Sequence, residues 1–325
     1  MFLTYIFYVV FIMSNGKIKV KPFLKWAGGK SQLISMIESS LPTEINKNKP
    51  IKNYIEPFIG GGAVFFHLIS NYEVEKAYIS DINEDLILTY RVIKNDVQDL
   101  IEILKPLESE FSEADYESNK NNYYDNIRPR FNKRKKSLNY NKYSKKYIAH
   151  AADFIFLNKT CFNGLYRVNS KGEFNVPMGR YKKPLICDDN NLNNISEKFN
   201  KMDITIENKS YKYCESAITD DSFIYLDPPY MQITKTSFTS YTKSNFNRTD
   251  HEKLAEFYKK ISGKRVNVLL SNSDYANDEN EYKEIYGSDV KVDYVSAKRY
   301  INSDGKNRGP VDEILVRNYV KKDIS

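Results

Sequence analysis

Three consecutive glycines, Gly60, Gly61 and Gly62, separate a short apolar run from a helix-like segment, and an acid follows about 20 residues later. The run at residues 54–58 predicts a strand. Ala63-Val64-Phe65-Phe66-His67-Leu68-Ile69 predicts a helix, and residues 76–80 predict a second strand that ends at Asp81. Another amphipathic helix is expected around residues 86–90. Strand, tight turn, helix, strand and acid in that order are the opening of a parallel α/β sheet, which leaves few other fold classes open. Glycines at a strand-to-helix turn admit a ligand close to the backbone and present amide donors at a helix N-terminus. An acid at Asp81 suits a ribose diol. A dinucleotide fits the same logic, but Phe65 stands where the third glycine of its fingerprint belongs. A purely structural turn is the other reading of the glycines.

Apolar strands resume late in the chain. Residues 222–226 and 266–270 read as buried strands, and residues 313–319 are expected to close the sheet. The character in between is different: residues 91–203 are polar and rich in Tyr and Asn. They contain a basic block formed by Arg128, Arg130, Lys133, Arg134, Lys135, Lys136, Lys142, Lys145 and Lys146, with no acid interrupting it. The division expected is an N-terminal extension (1–20), a first part of the sheet domain (21–90), an insert (91–203) and a second part of the sheet domain (204–325). The hydrophobic fraction of 41% is sufficient for a packed core, and a net charge of +7 permits a polyanionic partner.

Cys161, Cys187 and Cys214 are too few and too scattered for a disulfide framework or a zinc site. They read as structural thiols in a reducing compartment, which points to the cytoplasm. His67, His150 and His251 show no ligand spacing, so no metal is expected. Residues 2–13 are strongly apolar, yet too short to span a bilayer and without the features of a signal peptide. Met13 is read as the true start, with an added packed strand or a membrane-contacting tail as alternatives. No membrane association is expected.

Two further motifs carry chemistry. Trp26-Ala27-Gly28-Gly29-Lys30-Ser31 ends like a P-loop, but Leu24 occupies the position of the required first glycine, which disfavours a nucleotide triphosphatase. The glycine pair can instead make a turn that offers an aromatic face and a cation. Asp227-Pro228-Pro229-Tyr230 stands at the end of an apolar strand, where ligands of parallel sheets gather. The prolines fix the backbone and remove two N–H donors. An ionised Asp227 and a proline-framed carbonyl can both accept from an exocyclic amine, while Tyr230 offers a stacking face for a base.

Together these motifs resemble the Dam-like (D12 class, α-type) DNA adenine methyltransferases over nearly everything from Lys21 to Tyr319. The likeness rests on Phe23-Leu24-Lys25-Trp26-Ala27-Gly28-Gly29-Lys30, Glu56-Pro57-Phe58-Ile59-Gly60-Gly61-Gly62, Asp81-Ile82-Asn83 and Asp227-Pro228-Pro229-Tyr230. The resemblance implies a Rossmann-like α/β methyltransferase sheet with an inserted, mainly helical DNA-recognition domain. It implies S-adenosylmethionine as methyl donor, bound by Trp26, Lys30, Phe58, Gly60, Gly62, Asp81 and Asp227. Asp227, Pro228 and Tyr230 are the implied catalytic residues.

A fourth stretch, Asn158-Lys159-Thr160-Cys161-Phe162-Asn163-Gly164-Leu165-Tyr166-Arg167 followed by Gly172-Glu173-Phe174-Asn175-Val176-Pro177, looks like the recognition segment of family members that methylate GATC. By that resemblance Leu165, Arg167 and Pro177 reach base edges, Lys25 helps read the first base pair, Asn163 lies near the space left by the flipped adenine, and the Phe162 ring stacks in the DNA. Phe162 departs from the family, which carries tyrosine there. The basic block is expected to lie against phosphates, and Arg299, Asn302, Lys306 and Arg308 to contact the DNA backbone.

The resulting expectation is N6-adenine methylation of double-stranded 5'-GATC-3' after base flipping, without metal. The enzyme would be a monomer and would serve a restriction-modification system beside a cognate endonuclease, or act alone. Alternatives are a catalytically silent DNA-binding regulator on the same fold, an RNA adenine methyltransferase, and an N4-cytosine enzyme, in which Ser more often stands in place of Asp227. A dinucleotide-dependent oxidoreductase would not explain the Asp-Pro-Pro-Tyr motif.

Overall fold

The computed structural model describes residues 18–30, 32–230, 246–274, 278–298 and 310–321. The calls on residues 2–13 and on Arg299, Asn302, Lys306 and Arg308 lie outside them.

Among the described residues, seven strands form one sheet: β1 (Ile51–Glu56), β2 (Val74–Asp81), β3 (Asp203–Asn208), β4 (Ser222–Leu226), β5 (Asn267–Ser273), β6 (Lys291–Lys298) and β7 (Pro310–Arg317). Their spatial order is β3-β2-β1-β4-β5-β7-β6. The first five pair in parallel, whereas β7 runs antiparallel to both β5 and β6. The strand order reverses between β1 and β4, which is where an open parallel sheet leaves a crevice at its carboxyl ends. The last strand does not close the sheet at its edge as the sequence suggests. β7 slots between β5 and β6, and β6 forms the edge.

Side chains of a strand alternate between faces, and the central strands are apolar on both. Tyr54, Phe223, Tyr225, Leu269 and Leu315 join one buried cluster; Ile55, Ile224, Leu226, Val268, Leu270, Ile314 and Val316 join another. Among the described residues, ten α-helices accompany the sheet. On the second face, α9 (Arg248–Ser262) and α10 (Glu279–Tyr286) supply Leu254, Tyr258, Ile261, Tyr282 and Tyr286. On the first, a short α1 (Ile34–Ser39), α2 (Ala63–Asn71) and α3 (Glu84–Asn95) pack their apolar residues against the strands. α2 starts at Gly62, whose φ of 71° is left-handed, a conformation glycine adopts without steric cost. α3 starts where the Asn83 side chain accepts from the Leu86 amide, an ordinary N-cap.

Residues 97–201 are mainly helical: α4 (Val97–Glu113), α5 (Tyr116–Asn121), α6 (Arg128–Lys135), α7 (Lys146–Thr160) and α8 (Asp189–Lys201). A π-helical turn, Asn122–Ile127, joins α5 to α6 without a break. The buried residues of these helices, among them Phe111, Phe131, Tyr147, Phe154 and Phe156, belong to the same apolar cluster as the first sheet face.

Candidate active site

The site lies at the carboxyl ends of β1, β2, β4 and β5. The chain leaves the sheet at Asp227, directly after β4. From the adjoining β5, the Ser271 hydroxyl donates to Asp227 Oδ1 at 3.1 Å. Lys30 Nζ lies 2.6 Å from the same oxygen and donates to the Gly28 carbonyl at 3.0 Å. Lys30 is buried, and its ammonium also sits 4.3 Å from the centroid of the Tyr230 ring. The Tyr230 hydroxyl donates to Glu313 on β7. Burial pushes the Asp227 carboxyl up, with Lys30 and Ser271 pulling the other way. Among the described residues the partners of Asp227 fall on Oδ1. The geometry therefore offers Oδ2 as an acceptor beside an aromatic ring, with the backbone fixed by Pro228 and Pro229.

Next to it, Glu56 ends β1 almost fully buried, accepting from the Tyr54 hydroxyl at 2.6 Å. Burial raises its carboxyl well above the ordinary range, and the nearby negative charge of Asp227 adds to the rise.

The glycine turn and the Trp26 motif form one surface. Gly60 has φ of 46°. A Cβ on Gly60 would stand 2.9 Å from Trp26 Cδ1, and one on Gly61 2.9 Å from Trp26 Cβ. The indole thus packs directly on the turn because the turn has no side chains. The indole also stacks on Tyr166, centroids 5.9 Å apart at 23°. Asp81, at the end of β2, accepts from the Gly60 amide at 3.1 Å and the Asn83 amide at 2.9 Å. Burial nonetheless pushes its carboxyl up to about 6. Ile82 beside it is 52% exposed, an apolar side chain left facing solvent next to an acid. Phe58 stacks on Tyr211 at 5.3 Å. A carboxylate, amides at a helix N-terminus and an exposed aliphatic side chain in one crevice are a donor set that fits a nucleoside.

The base-reading candidates gather around the turn that follows α7. Phe162–Gly164 form a 3-10 turn after α7, with Asn163 left-handed at φ 55°. The Phe162 amide donates to the Pro177 carbonyl at 2.8 Å, and residue pairs Cys161/Met178 and Val168/Phe174 bridge the two arms. The π-helical turn backs this hairpin: Tyr123 donates to the Val176 carbonyl at 2.9 Å, and the Met178 amide donates to the Tyr124 hydroxyl at 3.1 Å. Phe162, Arg167, Pro177 and Lys25 are exposed; Asn163 and Leu165 are half-buried. Arg167 Nε donates to Asn175 Oδ1 at 2.8 Å, which fixes one edge of the guanidinium. Lys25 Nζ lies 4.1 Å from the Tyr181 ring centroid.

Lys25 joins this hairpin to the Trp26 loop through Asn158, whose Oδ1 accepts from the Lys25 amide at 2.9 Å. Its Nδ2 donates to the Lys25 and Gly164 carbonyls at 2.7 and 3.0 Å. A Cβ on Gly164, at φ 63°, would stand 2.4 Å from Lys25 Cβ.

Five residues of the basic block have acidic partners within the fold. Arg130 and Arg134 both bind Asp153, whose side chain is 1% exposed, and Lys135 binds the fully buried Asp85 at 2.5 Å. Lys136 pairs with Glu173, and Lys145 with Asp96 and Asp99. The acids are distant in sequence, so five of the nine residues of a run that reads as an uninterrupted positive stripe are paired on folding. Lys133, Lys142 and Lys146 are exposed. All three cysteines are buried and free. Burial pushes the Cys187 thiol up to about 11 and those of Cys161 and Cys214 up to about 12. Among the described residues no cluster of His, Cys, Asp or Glu has the makings of a metal site, and no helix is long and apolar enough to cross a membrane.

Sequence reasoning missed Ser271, Glu313, Ile82, Tyr166 and Asp85. Ile82 had a legible signal, an aliphatic residue directly after the acid. Ser271 and Glu313 lie on strands whose neighbours only the sheet order reveals.

The family model described as D12 class N6 adenine-specific DNA methyltransferase matches residues 26–301. The chain is 48% identical over 304 residues to the Type II methyltransferase M.MjaIII of Methanocaldococcus jannaschii, covering 93% of this chain and 100% of that one. It is 37% identical over 309 residues to the Type II methyltransferase M1.LlaDCHI of Lactococcus lactis, 95% of this chain and 99% of that one. It is 33% identical over 307 residues to the DNA adenine methylase of Escherichia coli, 91% of this chain and 95% of that one.

Proposed function

Because the chain belongs to the D12 class of N6 adenine-specific DNA methyltransferases, we propose that it methylates adenine within duplex 5'-GATC-3', as the modification enzyme of a Type II restriction-modification system. The observation that carries the chemistry is the arrangement around Asp227. Its Oδ1 is held by Lys30 and Ser271, and the Lys30 ammonium also sits over the Tyr230 ring. A target adenine must leave the stack to reach this crevice, at a cost of a few kcal/mol. Tyr230 stacks on the flipped base. The Asp227 carboxylate and the Pro228 carbonyl accept hydrogen bonds from the N6 amine and turn its lone pair towards the methyl. The methyltransferase family implies S-adenosylmethionine, which supplies an electrophilic methyl on sulfonium sulfur. Asp81 would accept from the ribose hydroxyls, with Ile82 covering the purine. Phe58, Gly60, Gly62, Trp26 and Lys30 would line the rest. Catalysis then rests on positioning and electrostatics, and the proton is lost after transfer.

Residues 91–203 are read as the recognition insert. Lys25, Leu165, Arg167 and Pro177 would contact base edges, with Phe162 and Asn163 beside the space left by the flipped adenine. The Arg167 guanidinium suits bidentate contact with guanine, and apolar groups suit the thymine methyl. The modification role, with an endonuclease cutting the same site as partner, is favoured by the relatives named Type II methyltransferase, which are more similar than those named DNA adenine methylase. The test is methyl transfer to a GATC duplex and to duplexes with each base pair of the site replaced in turn. The reading expects strong discrimination at every position, and DNA from the reaction resistant to an endonuclease that cuts unmethylated GATC. Equal transfer to the altered duplexes would remove the GATC assignment.

A further inference from the structure

Asp85 opens the first turn of α3, two residues after Asn83, and is fully buried. Four donors converge on its carboxylate. Tyr140 and His150 Nε2 approach Oδ1 at 2.7 and 2.9 Å; Tyr166 and Lys135 approach Oδ2 at 2.6 and 2.5 Å. Lys135 also donates to the Tyr166 hydroxyl at 3.2 Å. All four come from residues 135–166, from the end of α6 to the base-reading hairpin, while Asp85 itself adjoins the Asp81-Ile82-Asn83 corner.

Tyr166 is the informative partner. It lies between Leu165 and Arg167, and its ring is the one that stacks on Trp26. Trp26 in turn rests on Gly60 and Gly61. One hydroxyl on one buried carboxylate therefore sets a ring that touches both the glycine turn's cover and the hairpin. Tyr140 binds the same carboxylate, but its ring packs on Tyr147 and His150, away from Trp26.

We propose that Asp85 is a positioning residue for methyl transfer, acting through Tyr166 to hold the Trp26 indole and residues 165–167 in register, so that cofactor seating and target discrimination are coupled. This rests on the reading of the site as a DNA adenine methyltransferase. A hydrogen bond to a charged group contributes roughly 1.5–3 kcal/mol, about a tenfold effect or more in an equilibrium constant.

The test compares Tyr166→Phe with Tyr140→Phe, each of which removes one hydroxyl from the same carboxylate. Three readouts are needed: the emission of Trp26, the chain's sole tryptophan; equilibrium binding of S-adenosylhomocysteine; and the kcat/KM ratio between GATC and a singly altered site. Tyr166→Phe is expected to shift the emission, weaken binding about tenfold and lower the ratio about tenfold. Tyr140→Phe is expected to lower thermal stability to a similar degree while leaving all three within about twofold. Equal effects of the two variants, or no effect of Tyr166→Phe beyond stability, would overturn the assignment to Asp85 and leave the methyltransferase reading intact. Wild-type protein that transfers no methyl to duplex adenine would overturn the underlying reading instead.

Discussion

Asp227 is held as an acceptor by Lys30 and Ser271, and burial opposes its ionisation. Replacing it by Ala is expected to lower transfer by at least about a hundredfold, the scale of losing one preorganised electrostatic partner, while the protein stays folded by circular dichroism. Asp81 makes a pH prediction. Its carboxyl is raised to about 6 in the ligand-free protein, and only the ionised form accepts from two hydroxyls. Cofactor affinity should therefore hold above about pH 6 and fall roughly tenfold per unit below it. Asp81→Asn should bind more weakly with a flat profile through that range, as titration calorimetry would read. An Asp81→Asn variant with the wild-type profile would remove Asp81 from the cofactor site. Gly164 is constrained twice over, by a φ of 63° and by Lys25. Gly164→Ala should cost about 1–3 kcal/mol of stability, the range for a strained backbone, and should blur discrimination at the first base pair, measurable by urea unfolding and by kinetics on altered duplexes.

At the scale of elements, most of the central sheet was legible. Residues 222–226 coincide with β4 because a five-residue apolar run is what a strand buried on both faces requires. The glycine turn fixed where β1 ends and α2 begins. β3 and β6 left little trace, since each lies at an edge of the sheet and carries polar residues that propensity reads as loop. The insertion of β7 between β5 and β6 has no local signature, because pairing partners are chosen by the whole fold. The pairing within the basic block was hidden for the same reason: Asp85 and Asp153 are invisible as partners of Lys135, Arg130 and Arg134 until α3, α6 and α7 pack together. Of the candidate site residues, those in contiguous motifs were legible, whereas Asn158 as a clamp was not. Its three hydrogen bonds join α7, the Trp26 loop and the 3-10 turn. Asn158→Ala should lose about 1 kcal/mol per bond and should loosen both loops together, visible as faster amide exchange at Lys25 and Leu165.

At the scale of the whole molecule, one apolar cluster runs from the first sheet face into the helices of residues 97–201, and the Asp85 network lies inside it. Burial alone would raise the Asp85 carboxyl, but hydrogen bonds from His150 and Lys135 and their charges hold it well below its ordinary value. A carboxyl depressed in the folded state contributes stability above its unfolded value near pH 4, and that contribution is lost as pH falls through the folded value. Thermal melts should show an acid limb below about pH 4 that is flattened in Asp85→Asn, a variant expected to lose about 3 kcal/mol at neutral pH for breaking a buried ion pair. The central claim, that this crevice transfers methyl groups to adenine nitrogen under the direction of Asp227, is tested most directly by the product. Duplex DNA incubated with the protein and isotopically labelled S-adenosylmethionine is digested to nucleosides and analysed by mass spectrometry, for the wild type and for Asp227→Ala. Label in N6-methyl-2'-deoxyadenosine from the wild type alone is the predicted result; label in N4-methyl-2'-deoxycytidine, or undiminished label from the variant, would contradict it.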